Sequence, residues 1–277
     1  MVDIDKQKAK ANTFRALHRG PEALILANVW DVATARILEE AGFPALATTS
    51  AGVAFSLGYP DGQKLTREEM LARIARIARA VKVPVTADVE AGYGNRPEDA
   101  AETAREVIAA GAIGINLEDA SDRPLELADL SSQLDKIRAI REAALKSGVL
   151  LVLNARTDVY LEQIGAPETR YDETVRRLAA YRDAGADCVF APGLRDSETI
   201  SRLAKDVKCP LNILAGPGFP SVPELKKLGV ARVSLGSTPM RATLGLLQRM
   251  AAELKSTGTY TTLDGAPAHA ELNRMMG

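Results

Sequence analysis

The chain has 277 residues, 46% of them apolar, a size and composition that suit one α/β domain with a full core rather than a disordered chain. Basic and acidic side chains nearly balance, for a net charge of −1, and aromatics make up only 4%. A nucleic-acid surface and a polybasic membrane anchor are therefore not expected. Two cysteines, Cys188 and Cys209, are too few for a disulfide framework. No apolar run approaches the ~18 residues of a membrane span, and residues 1–6 are acidic without the apolar stretch of a secretory signal. A cytoplasmic protein is expected.

In chain order, short and almost continuously apolar runs at 24–28, 45–49, 85–88, 113–118, 150–156, 188–191, 211–214 and 231–235 read as parallel strands buried on both faces. Helical patterns alternate with them at 32–41, 67–81, 97–110, 131–147, 171–184, 197–207, 223–228 and 239–255. Met70, Leu71, Ile74, Ile77, Ala78 and Val81 form one apolar stripe of 3.6-residue period, and Thr66 with Glu69 makes a capping box ahead of it. Gly42, Gly111, Gly185 and Gly229 each stand where a helix must close before a strand. Eight such β/α units predict a (β/α)8 TIM barrel over about 23–255, in a single domain of 1–277. A doubly wound open sheet fits less well, because no Gly-x-Gly-x-x-Gly turn follows an early strand. Residues before 24 predict an extra helix under the barrel, and 256–277 a C-terminal helical extension packed on a neighbour.

Catalytic groups in this fold project from the C-terminal ends of the strands. Those ends carry Asn28 and Asp31, Thr49 to Gly52, Asp88 and Glu90, Glu118 and Asp119, Arg156 and Asp158, Asn212, and Ser234 with Ser237. Asp88, Glu90 and Glu118 on adjacent strands are the sharpest feature, because three carboxylates in one place need a cation or protons between them. An all-oxygen set without His or Cys favours a hard ion such as Mg2+, and the planar fork of Arg156 suits a carboxylate. Against this stands the plain alternative that each is a helix cap or a loop ion pair.

The run Val85-Thr86-Ala87-Asp88-Val89-Glu90-Ala91-Gly92-Tyr93-Gly94-Asn95 resembles the metal-site signature of the isocitrate lyase/phosphoenolpyruvate mutase superfamily. Asn28-Val29-Trp30-Asp31, Gly58-Tyr59-Pro60-Asp61-Gly62, Ile115-Asn116-Leu117-Glu118-Asp119 and Asn154-Ala155-Arg156-Thr157-Asp158 resemble its other landmarks, in the family's order across about residues 12–245. The resemblance implies an α/β barrel that binds Mg2+ (Mn2+ as a substitute) and a 2-oxo acid. It also implies C–C or P–C chemistry beside an enolate, and a homotetramer with an exchanged C-terminal helix. By position it implies Asp88 as direct metal ligand, Glu90 and Glu118 as further ligands, and Asp61 near the metal waters. Ser50, Ala51 and Gly52 become the cradle for substrate oxygens, Arg156 the partner of the substrate, and Asn212 a polar substrate contact.

The chain also departs from that pattern. Family lyases acting on isocitrate carry Lys-Arg-Cys-Gly-His after the fourth strand and phosphonopyruvate mutases carry Lys-Thr-Asn, whereas Ala120-Ser121-Asp122-Arg123-Pro124-Leu125-Glu126 stands here. Ser121, Asp122, Arg123 and Glu126 are its only polar groups, and a serine hydroxyl is a very poor acid at neutral pH. Tyr93 is then the proton donor nearest the metal loop. Cys188 and Cys209 read as packing thiols, Trp30 as packing beneath the loops, and His18 and His269 as surface residues. No lysine lies on a predicted strand, which disfavours a Schiff-base aldolase. The expectation is a Mg2+-dependent carbon–carbon lyase for a small 2-oxo or 2-hydroxy diacid, with oxaloacetate decarboxylation first. The alternatives are a phosphonopyruvate-type P–C hydrolase or mutase, a phosphate-binding barrel enzyme using 215–218 and 235–238, and a non-catalytic 2-oxo acid-binding barrel.

Overall fold

The computed structural model describes residues 3–120 and 126–277. Eight parallel strands close on themselves in sequence order, β8 pairing back to β1. They are β1 (Leu24–Val29), β2 (Leu46–Thr48), β3 (Val85–Asp88), β4 (Gly114–Glu118), β5 (Val152–Arg156), β6 (Cys188–Phe190), β7 (Leu211–Leu214) and β8 (Arg232–Ser234). The helices are α1 (Ile4–Leu17), α2 (Val32–Glu40), α3 (Ser50–Ser56), α4 (Arg67–Ala80), α5 (Pro97–Ala110), α6 (Leu130–Ser147), α7 (Arg170–Ala184), α8 (Ser197–Asp206), α9 (Val222–Lys227), α10 (Thr238–Ser256) and α11 (His269–Met276). The expected (β/α)8 barrel is thus observed; β1 runs one residue further than expected, β3 and β7 keep their expected bounds, and the other strands are shorter by one or two residues. Leu151 is apolar because it is buried beneath the barrel, not because it belongs to a ladder, and Leu150 is exposed.

Local chemistry explains the element ends. Thr66 and Glu69 close a reciprocal cap on α4, whose buried face is the predicted Met70, Leu71, Ile74, Ile77 and Ala78 stripe. Gly111 and Gly185 end α5 and α7 at φ 96° and 117°, a conformation that side chains with a Cβ resist.

The floor is closed by α1. Its Phe14 is fully buried, and the Gln7 amide donates to the carbonyls of Ile108 (2.8 Å) and Ala112 (2.9 Å). Arg15 reaches Asp187 and the carbonyls of Leu150 and Leu151. His18, expected on the surface, is instead buried at 5% exposure against the Phe14 ring, because α1 turns its C-terminal end under the barrel. The backbone around Gly114 leaves no room for a side chain, since a Cβ there would lie 2.6 Å from Thr86 Oγ1 and 3.1 Å from the Phe14 ring.

The aliphatic core lies between the strands and the outer helices. Inside the barrel the side chains are polar, and they bond across neighbouring strands. Asn116 Nδ2 donates to Asp88 (2.8 Å), Asn154 Nδ2 donates to Asn116 (2.8 Å), and Asn212 Nδ2 donates to Ser234 (3.2 Å). The C-terminal extension is helical as expected. Within this chain α11 rests on α2, where Arg36 donates to the Met275 carbonyl (3.1 Å) and Arg274 pairs with Glu40 (2.6 Å). No helix among the described residues is long and apolar enough to cross a membrane.

Candidate active site

A cavity of about 300 Å3 opens at the C-terminal ends of the strands and reaches down into the barrel. Its lining includes Ser50, Ala51, Asp61, Asp88 and Arg156 of the expected site, together with Asn116 and Arg232. Gly52, Glu90, Tyr93, Glu118 and Asn212 are not part of that lining.

Asp88 ends β3 and is held on both oxygens. Its Oδ2 accepts from the amide (2.9 Å) and hydroxyl (2.8 Å) of Ser50, and its Oδ1 accepts from Asn116. Ser50 occupies this position because the chain turns straight from β2 into α3, a helix of seven residues capped by Thr49. Periodicity does not reveal α3, since Ser-Ala-Gly-Val-Ala-Phe-Ser is too short and too uniformly small to carry an apolar stripe. The cradle expected for a substrate is therefore engaged, in part, with Asp88 itself. Gly52 is shielded beneath it, where a Cβ would lie 3.2 Å from that of Trp30.

Asp61 faces Asp88 across the cavity, and burial followed by the Asp88 charge raises its pKa. Glu90 sits at φ 51° in the turn after β3, its carboxylate accepting from the Gln63 amide and, at 3.4 Å, from the Tyr93 hydroxyl. Burial, with Asp88 beside it, pushes Glu90 up to about 7. Tyr93 is raised by burial and by Glu90, so its phenol grips its proton and is a poor acid as placed. Glu118 ends β4 and pairs with Arg156 (2.7 Å). Burial raises its carboxyl well above the ordinary range although Arg156 opposes the shift.

Arg156 is not a lone cation. Its Nε also donates to Asp158 (2.6 Å), and its guanidinium lies 5.9 Å from the centre of the Phe190 ring. Asp158, fully buried, is raised by burial to about 6. Arg156 is thus a bracket that fixes two carboxylates while still lining the cavity.

Several strand-end residues are structural. Asn28 Oδ1 accepts from the amides of Leu235 (2.8 Å) and Gly236 (2.9 Å), tying β1 to the loop after β8. Asp119 is buried among Thr157 Oγ1 (2.7 Å), Tyr181 Oη (2.6 Å) and Arg177 (3.2 Å), and it anchors the loop after β4. Ser121, Asp122 and Arg123 lie outside the described residues, and Glu126 is exposed. Cys188 is a buried thiol and Cys209 a half-buried one, both pushed up by burial, to about 12 and about 11, which suits packing rather than attack.

The chain matches the phosphoenolpyruvate phosphomutase family over residues 14–255. It belongs to that family. Within the wider isocitrate lyase/PEP mutase superfamily it is similar to a 2-methylisocitrate lyase of Bacillus subtilis, 28% identical over 92% of this chain and 86% of that one. It is likewise similar to an oxaloacetate decarboxylase of Chromohalobacter salexigens, 29% identical over 91% and 92%. Among solved structures, a lyase/mutase of Burkholderia cenocepacia superposes with TM-score 0.92 at 42% identity, covering 98% of this chain and 96% of that one. An oxaloacetate acetylhydrolase holding its product oxalate superposes with TM-score 0.85 at 28% identity, over 97% and 94%.

Members of this superfamily are lyases and mutases. Among the described residues no three His, Cys, Asp or Glu side chains stand together as a preformed metal cage. The donor set nonetheless fits a hard divalent ion, which is held by one or two carboxylates and keeps several waters. Asp61, Glu90 and Glu118 each sit in an environment that penalises their negative charge, and a dication removes that penalty. Arg232, a site residue not anticipated from the sequence, is the one charge in the strand run 231–235, and that anomaly was the available signal.

Proposed function

We propose that this chain is a Mg2+-dependent carbon–carbon lyase for a small 2-oxo diacid, with decarboxylation of oxaloacetate as the first reaction to test. The observation that carries this reading is the cavity in which Asp61 and Asp88 face Arg156 at the strand ends. Asp88 would hold the ion directly, with Asp61, Glu90 and Glu118 acting on its waters, and Mn2+ could replace Mg2+. When bound, the ion supplies a Lewis acid for the substrate carboxylate and its neighbouring oxygen.

The protein's own groups do the rest. Arg156, fixed by Glu118 and Asp158, offers its remaining N–H groups to the substrate carboxylate without reorganising. Ala51 would offer its amide to the developing negative oxygen, while Ser50, its donors engaged with Asp88, fixes that carboxylate; Phe190, Leu161 and Pro192 restrict water on the far wall. As the C3–C4 bond breaks, its electron pair moves toward the 2-oxygen and CO2 departs. A proton from solvent then completes pyruvate at C3. This step asks less of the protein than isocitrate cleavage, for which related lyases use the loop cysteine that this chain lacks.

The exchanged-helix homotetramer is part of the same proposal. Only Met240 of α10 is buried, while Leu244, Leu247 and Leu254 are exposed, an apolar face that a second copy would cover.

Pyruvate release from oxaloacetate, and succinate release from 2-methylisocitrate and isocitrate, each with Mg2+ near neutral pH, test the reading. Turnover of oxaloacetate should exceed that of the isocitrates by about a thousandfold, the cost of a missing acid–base group. Comparable rates, or phosphonopyruvate as the better substrate, would overturn it.

A further inference from the structure

Arg232 begins β8 and points into the barrel, where it lines the floor of the cavity with 2% of its surface exposed. Among the described residues its Nε and Nη1 have no hydrogen-bond partner, and no carboxylate pairs with it. Arg15 and Arg36 also leave Nε without a partner, but each has other nitrogens engaged, Arg15 with Asp187 and Arg36 with the Met275 carbonyl. Arg141 donates to the carbonyls of Gly185 and Leu151 and to Asp187.

The surroundings offer Arg232 no protein counterion. The Cys188 thiol nearby is held protonated by burial and supplies no charge. Asp88 acts on Arg232 only as a more distant charge, and its oxygens already accept from Ser50 and Asn116. Thr86 Oγ1, on the same cavity wall, is buried without a partner as well. A buried guanidinium is tolerated when an anion meets it, and its planar fork matches a carboxylate.

We infer that Arg232 is the floor anchor for the second carboxylate of the substrate, so that the cavity selects 2-oxo diacids over 2-oxo monoacids. This rests on the proposed 2-oxo diacid reading and gives it a specificity residue. The 2-oxo end lies at the rim among Asp61, Asp88 and Arg156, and in the binding complex the distal carboxylate reaches down to Arg232; in oxaloacetate this is the group lost as CO2, so its pairing with Arg232 is a recognition contact that breaks before C3–C4 cleavage. The unliganded protein carries an unpaired buried charge there in exchange for recognition.

The test is calorimetric binding to the Mg2+-loaded protein of three probes: oxalate, 2-oxobutyrate and 3,3-difluorooxaloacetate. In Arg232→Met the difluorinated diacid should bind about a hundredfold more weakly, as for a lost buried charge pair, while oxalate and 2-oxobutyrate are unchanged. Arg232→Lys should recover part of that loss. Thermal unfolding of the unliganded Arg232→Met protein should be unchanged or shifted upward, because an uncompensated charge has been removed. A fall in stability, or failure to fold, would make Arg232 a structural residue and overturn the inference. Equal weakening of all three probes, or of none, would overturn it while leaving the 2-oxo acid reading intact. If the wild type binds none of them, both fall together.

Discussion

The burial of His18 under the barrel gives a stability test with a defined size. Its Nδ1 lies 2.8 Å from the Phe14 carbonyl, which can only accept, so Nδ1 carries the proton and Nε2 is left as a buried acceptor without a partner. Burial first, and then the positive charge of Arg232, lower its pKa from 6.5 to about 4. A base with a depressed native pKa is protonated more readily in the unfolded chain. Its contribution to stability is therefore intact above 6.5 and lost as pH falls toward about 4. At about pH 5 the linkage relation gives a loss of ~2 kcal/mol, approaching ~3.4 kcal/mol once both forms are protonated. Glu90 and Asp158 titrate in the same range with the opposite sign, since burial raises them to about 7 and about 6. The difference between wild type and His18→Leu isolates the histidine. Urea unfolding at about pH 7.5 and about pH 5 should show a pH-dependent loss ~2 kcal/mol larger in wild type than in the variant. The same loss in both proteins would refute the burial argument.

Asp88→Ala should abolish Mg2+ binding by calorimetry and cost ~1–3 kcal/mol of stability, because Ser50 and Asn116 lose their acceptor; unchanged Mg2+ affinity would remove the metal assignment. Arg156→Lys cannot bridge Glu118 and Asp158 together. Oxalate should then bind at least about tenfold more weakly, and equal affinity would exclude contact with the substrate. Gly114→Ala forces a Cβ against Thr86 and Phe14 and should cost ~1–3 kcal/mol in urea unfolding, whereas no change would mean that the floor is loosely packed.

The barrel was legible because parallel strands buried on both faces leave short apolar runs, and because glycine closes the helix before several of them. Boundaries were less so, since apolarity marks burial and not pairing: Leu151 packs beneath β5 without joining its ladder. The rim acids Asp61 and Asp88 and the cation Arg156 could be placed from strand ends and family landmarks. Their partners could not. That Ser50 would turn its amide onto Asp88 depends on α3, which has no periodic signature. That Arg156 would be bracketed by Glu118 and Asp158 depends on the β4–β5 register, Glu118 opposite Arg156. Asn212 was expected as a substrate contact from the family resemblance; its amide donates to Ser234, a pairing that position in the sequence does not reveal. His18 was misplaced because a lone helix before a barrel does not say which of its faces lies underneath.

The polar interior accounts for these features together. Barrels of this fold usually fill their centre with layers of branched aliphatic side chains. Here the centre holds the chain Asp88–Asn116–Asn154, the pair Asn212–Ser234, and Arg232. The aliphatic burial that stabilises the protein is consequently moved outward, to the layer between strands and helices, and downward, to Phe14 of α1. Separating the two layers frees the interior to be selected for chemistry. The Asp88–Asn116–Asn154 relay fixes the carboxylate at the rim before any ligand arrives, so little reorganisation accompanies binding. Among the described residues Arg232 has no hydrogen bond to that relay. The same positive charge that awaits an anion in the cavity also helps hold His18 neutral below it.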